Sequence, residues 1–263
     1  MLLTGCGRGG PLLHPARTLP LGEVRATGGV SANVAPGSLG SELRAARDIA
    51  TRDTTGTTSP GAPGTNPQYA RGALVSAAIG PGLAPFVSAR VGVGNHVEGG
   101  LAYTGRGVRV DMRRSFESGH WALSLGAGGT AELYGRQRGT DLPNVDLAQL
   151  HGYGVDVPIL AGWDSDNGLY RVWFGPRGGY EHVIVDTLTS EPTASLSNAQ
   201  QVRLSAKHWF AGGVFGLATG FNHIHVALEA QLAYQVVSGT YNGNDVTVKG
   251  ISITPATALW WTF

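Results

Sequence analysis

The sequence predicts an all-β chain: an antiparallel up-and-down transmembrane β-barrel of about ten strands with one long outer loop. Three observations predict it. Apolar and polar residues alternate with period two through most of the 263 residues, which is the pattern of strands with one greasy and one polar face. Several of these segments exceed ten residues, enough to cross a bilayer when tilted. Composition is the third: 41 glycines and only 14% charged residues, against usual shares of about 7% and about 25%, disfavour an ordinary soluble enzyme. No apolar run approaches the ~18 residues of a membrane-spanning helix. A net charge of +1 supplies no field for nucleic acid.

The elements follow in order. Residues 1–21 read as a signal remnant and tether, because 7–21 (GRGGPLLHPARTLPL) are rich in Pro and Gly. Residues 22–263 read as the barrel domain. In Gly22–Val34 the residues Val24, Ala26, Val30 and Val34 share a face opposite Glu23, Arg25 and Thr27. Residues 35–80 break the alternation and read as the long loop. It holds one short helix from Ser41 to Asp53, with Leu43, Ala46, Ile49 and Ala50 on one side. Tyr69–Ile79 alternates only faintly and is assigned to this loop or to an extension of the wall.

Alternation then resumes in Leu83–Val93, Val97–Thr104, Val108–Phe116, His120–Tyr134, Leu150–Trp163 and Leu169–Val185. It continues in Gln201–Ala218, whose faces do not separate past Trp209, in Ile224–Val236 and in Gly250–Phe263. The total is ten, and single-chain barrels of this class carry even numbers. With the C-terminus on the inner side, the loops at 35–80, 136–146, 186–200 and 238–249 fall outside. The short turns at 94–95, 117–119, 164–168 and 219–222 fall inside. Long outer loops and short inner turns are what such barrels show.

Two short motifs resemble known families. The last strand, G-I-S-I-T-P-A-T-A-L-W-W-T-F, ends on Phe263 after an apolar alternation. It resembles the C-terminal assembly signal of bacterial outer-membrane β-barrel proteins. The resemblance implies a bacterial outer membrane as the location. The lipid bilayer and the outer-membrane assembly machinery are then the expected partners, with oligomeric state left open. Leu3-Thr4-Gly5-Cys6 resembles the lipobox of bacterial lipoproteins, which implies acylation of Cys6. As the single cysteine it forms no intrachain disulfide.

The alternation assigns sides. Arg25, Arg90, Glu98, Arg109, Asp111, Arg113, Glu132, Asp156, Arg171 and Glu229 are expected to line the lumen, as are Glu23, Arg177, Glu181, Arg203 and Lys207. Their signs nearly balance, so ion pairing is the first expectation and a charge-lined narrow pore the second. Tyr103, Trp121, Trp163, Tyr170, Tyr234, Trp261 and Phe263 are expected to face outward as interfacial aromatics. No cofactor, metal site or catalytic residue is expected. His223 and His225 lack a third ligand. A hydrolase built from Ser205, His225 and Glu229 is the weakest alternative. The expected functions are a structural barrel or small-solute channel, and, second, a surface-binding scaffold using the outer loops.

Overall fold

The computed structural model describes residues 10–53, 66–133, 142, 149–189, 200–221 and 223–263. Ten strands close into an antiparallel barrel in which each strand pairs with its chain neighbours and the first pairs with the last. They are β1 (Val24–Asn33), β2 (Gly82–Gly94), β3 (Val97–Tyr103), β4 (Gly107–Ser118) and β5 (Trp121–Glu132). The second half comprises β6 (Leu150–Asp164), β7 (Tyr170–Thr189), β8 (Gln200–Phe221), β9 (Ile224–Tyr241) and β10 (Asn244–Thr262). Closure runs through Arg25–Ser31 of β1 opposite Thr262–Ala256 of β10, so no strand edge faces lipid there.

The greasy faces point out. Val226, Leu228, Val157 and Ile159 are 40–52% exposed, whereas Arg109, Asp156 and Glu229 are at most 5% exposed. A soluble barrel would reverse these two sets. On β6, Tyr153 and Trp163 bracket the apolar stretch and lie ten residues apart. At ~3.3 Å per residue and ~40° tilt this is about 25 Å, the height of the apolar band in outer-membrane-type barrels. The wall is therefore a transmembrane one.

β7 to β10 continue well above this band, whereas β2 to β5 stop near its rim. The expected loop at 238–249 is instead ladder. β9 runs to Tyr241, β10 starts at Asn244, and Asn242 and Gly243 both take positive φ (48° and 83°). That is the two-residue turn favoured by Asn-Gly. The expected loop at 186–200 likewise shrinks, because β7 reaches Thr189 and β8 begins at Gln200.

The described part of the 35–80 segment, 35–53 and 66–80, is not a loop lying outside. It forms α1 (Gly37–Asp53), α2 (Pro67–Leu74) and a π-helical turn, Val75–Ile79, ended by Gly80 at φ 56°. Asn66 caps α2 by accepting from the Gln68 N–H at 2.9 Å, and Pro67 supplies the first turn. Leu39, Leu43, Ala46 and Ala50 of α1 point down into the barrel mouth with Tyr69, Ala73 and Leu74 of α2. They meet Val183 and Val185 (β7), Leu204 and Ala206 (β8), Val237 and Tyr241 (β9), and Val246 and Val248 (β10). The helices are a cap seated inside the tall half of the wall.

A candidate functional site in the occupied lumen

The stretch expected to be a free tether is the largest departure from the sequence reading. Residues 11–16, Thr18 and Leu19 are buried: the chain descends through the lumen from Gly10 to Leu19 and leaves at the inner mouth, where Pro20 and Leu21 are exposed. The reason is backbone chemistry. An extended segment has unpaired N–H and C=O groups, and the lumen wall offers charged partners for them. Glu229 accepts from the N–H of Leu12 at 2.6 Å, of Leu13 at 2.8 Å, and from the Trp173 indole at 3.0 Å. Glu98 accepts from the Leu19 N–H at 2.9 Å. Arg113 donates to the Pro15 carbonyl, and Arg177 to that of Gly10. At the mouth Arg17 pairs with Glu117 and, at 3.2 Å, with Asp164. Leu12, Leu13 and Ala16 pack with Phe86, Leu160, Trp173 and Trp260.

Above and beside this plug the charges form one chain of alternating sign. It runs Arg113–Glu98–Arg90–Asp111–Arg109–Asp156–Arg177, crossing β4, β3, β2, β4, β6 and β7. Asp156 accepts from Arg109 Nε at 2.9 Å and from Arg177 Nε at 2.8 Å. The chain has an arginine at each end, and both end arginines turn their remaining donors to plug carbonyls. Two glycines make the flat packing possible. A Cβ on Gly100 would stand 2.7 Å from the Arg90 guanidinium carbon, and one on Gly128 at 2.7 Å from that of Arg109. Any larger residue at either position would oblige the facing guanidinium group to shift.

Of the charges assigned to the lumen, Arg25, Arg90, Glu98, Arg109, Asp111, Arg113, Glu132, Asp156, Arg177 and Glu229 are buried there. Arg171, Glu23 and Glu181 are half-buried. Arg25 stands apart from the ion chain, with its guanidinium 4.9 Å from the Trp260 ring centroid. Glu181 meets His208 Nδ1 at 2.6 Å, and His208 also meets Gln235. Arg203 and Lys207 are corrections: both are exposed and face outward. The small residues of A-G-G-V-F-G-L-A hid the register of β8, and its extension beyond the apolar band puts polar groups on the outside.

The aromatics fall into two levels on the outer wall. Trp121, Tyr170, Trp261 and Phe263 are exposed at the inner level, with Trp163 half-buried beside them. Trp261 and Phe263 stack at 5.8 Å. Tyr234 is exposed at the outer level, and Tyr103, half-buried, donates to the Gly105 carbonyl there. Tyr153, Tyr180 and Trp209 complete that level, the last two in contact at 4.6 Å.

The hydrolase alternative does not assemble. Ser205 lies on the outer wall above the apolar band, opposite in height to inward-facing His225, and His223 is exposed in the turn before β9. No cluster of three metal-ligating side chains occurs among the described residues. Cys6 lies outside the described residues.

No protein-family model matches the chain, and no curated protein does. Among solved structures it is similar to Neisserial surface protein A, at 10% identity and a TM-score of 0.35, over 92% of this chain and 96% of that one. It is also similar to Ail, the attachment invasion locus protein of Yersinia pestis, at 10% identity and a TM-score of 0.26, over 93% and 100%. Likenesses this distant carry no weight beyond their mention; the barrel assignment rests on the closed sheet and the outward greasy faces.

Proposed function

We propose that this chain is a bacterial outer-membrane barrel that works as a sealed scaffold, presenting its capped outer end, and not as an open channel. The observation that carries this reading is the lumen filled by the chain's own segments, with the plug at the inner end and the cap at the outer. Conduction needs a wet path, and here main-chain groups and ion pairs occupy the places water would take. The last strand, ending in Phe263, is read as the segment that the outer-membrane assembly machinery receives. The exposed aromatics at the two levels are read as anchors in the two interfaces.

Acylation of Cys6 belongs to this reading as a proposal, supported by the Leu3-Thr4-Gly5-Cys6 motif alone.

Planar-bilayer recording tests the sealed reading: the full chain is expected to give no steady conductance. Stable single-channel steps from the unmodified protein would overturn it. Outer-membrane fractionation with heat-modifiable gel mobility tests the barrel itself.

A further inference from the structure

Arg25 stands at the inner end of β1 and is 2% exposed. It makes no hydrogen bond or salt bridge among the described residues, and its Nε and Nη1 are both buried without a partner. Thr27 Oγ1, two positions along the same face, shares that condition, as does the indole Nε1 of Trp260. Trp260 faces Thr27 across the β1–β10 seam. It is 1% exposed and lies beneath the Arg25 guanidinium. Arg171 Nε, on β7, is likewise buried and unpartnered. An unpaired buried donor is costly, and a charged one more so. These groups together call for an acceptor.

Register brings them to one side of the inner mouth. Thr27, Trp260 and His225 form a row across β1, β10 and β9. The next row outward is Gly29, Ala258, Ala227, Ala218 and Arg171, reaching from β1 to β7. Its middle members are alanines, so no long side chain of that row stands between Arg171 and the Arg25–Trp260 pair. Arg171 and Arg25 are charge neighbours of each other, and both act on His225, which is held to the Gly168 carbonyl at 3.0 Å. The lower end of the plug is gripped on the other side: Leu19 by Glu98 of β3, and Arg17 by Glu117 of β4 and Asp164 of β6. The nearby carboxylates are already engaged, Glu98 by Arg90 and Arg113 and Asp164 by Arg17. Glu23, two positions before Arg25, pairs with neither Arg25 nor Arg171 among the described residues. Positive charge is therefore in local excess here.

We propose that the inner mouth of the barrel, between β1, β10 and β7, binds a phosphate-type oxyanion. Guanidinium, indole and hydroxyl groups converge from three strands, and a tetrahedral dianion offers acceptors in several directions at once. Guanidinium suits the task because its N–H groups are fixed in a planar fork and its charge is never lost. Water can satisfy single donors but leaves the excess charge in place. The donors face the lumen and not the lipid, so the ligand is a water-borne solute, inorganic phosphate or a small phosphomonoester. The site depends on the closed wall and is independent of whether the lumen conducts.

Isothermal titration of the full-length protein in uncharged detergent tests this, with sodium phosphate compared against sodium chloride and sodium acetate at equal ionic strength. Saturable binding of one phosphate per chain is expected, and none of the other two anions. Arg25→Gln should weaken it about tenfold and Arg171→Gln about fivefold, the range of a hydrogen bond to a charged group. Trp260→Phe keeps a ring beneath Arg25, loses the N–H and should weaken binding about threefold. Lys207→Gln, on the outer wall, should leave it unchanged. Phosphate heats no different from those of chloride, acetate bound as tightly as phosphate, or wild-type affinity in Arg25→Gln would each overturn the proposal. Heat-modifiable mobility reports whether each variant has closed its barrel. Should Arg25→Gln not fold, Arg171→Gln and Trp260→Phe decide the matter, and unchanged affinity in both would overturn it.

Discussion

Along β8, β9 and β10 one alternation carries opposite chemistry at two heights. Within the apolar band the outward residues are Phe215, Leu217, Val226, Leu228, Leu232, Ile251 and Ile253, and the inward ones include Glu229, Gln231, Gln235, Ser252 and Thr254. Above it the outward residues are Arg203, Ser205, Lys207, Asp245, Thr247 and Lys249, and the inward ones Leu204, Ala206, Val237, Tyr241, Val246 and Val248. The backbone does not change; the solvent on each side does. In the band lipid lies outside, and inside lie the charged network and a plug held by its main-chain groups, so the large apolar side chains point mostly out. Above it water lies outside and the helical cap inside, so the ordinary soluble rule returns. A strand in this protein is thus two different half-buried surfaces joined end to end.

Four substitutions would break or sharpen that contrast. The largest effect is expected inside the band. Asp156→Ala leaves Arg109 and Arg177 without their shared carboxylate and should cost about 3 to 5 kcal/mol, read as a lower urea midpoint for refolding into vesicles. A smaller midpoint shift would mean that water reaches these arginines and the plug does not seal them. On the outside of the band, Leu228→Arg should cost about 2 to 4 kcal/mol, the penalty for a cation near the bilayer midplane. The same titration checks it, and an unaffected variant would contradict lipid contact at this position.

Above the band the interior is a conventional core. Leu39→Ala removes a fully buried side chain of α1 and should cost about 2 to 3 kcal/mol, seen as faster proteolysis of the cap with heat-modifiability of the barrel retained. Simultaneous loss of both would show that the cap and wall unfold as one unit. The smallest effect belongs to the outside of the extension. Thr247→Arg should change stability by less than about 0.5 kcal/mol, against the several expected for the same charge at Leu228. Equal penalties would remove the distinction between the two heights.

Much of this architecture is legible in the residues. The ten strands, the sides of most charges and the short inner turns follow from period two, because a pleated strand alternates whatever surrounds it. The helical cap is half legible. Leu43, Ala46 and Ala50 mark α1, whereas the Asn66-Pro67 start of α2 is a recognisable capping signal that the faint alternation of Val75, Ala77 and Ile79 obscures. Asn242-Gly243 is equally readable as a hairpin turn, and polar flanking residues made it resemble a loop. The plug is not legible at all. Gly-Pro-Leu-Leu-His-Pro-Ala has the composition of a linker, and its binding uses main-chain groups that every sequence possesses. Trp209 and the outward setting of Lys207 depend on a register that small residues leave unmarked in β8.

By itself the sequence determined the number of strands, the alternation of each and the sign balance of the lumen, since these are local properties of a pleated chain. Only the tertiary structure decided what fills the barrel and where the inside-out pattern reverts to the ordinary one. Both depend on which segment meets which wall, and that is set by long-range contacts between residues as far apart as Leu12 and Glu229.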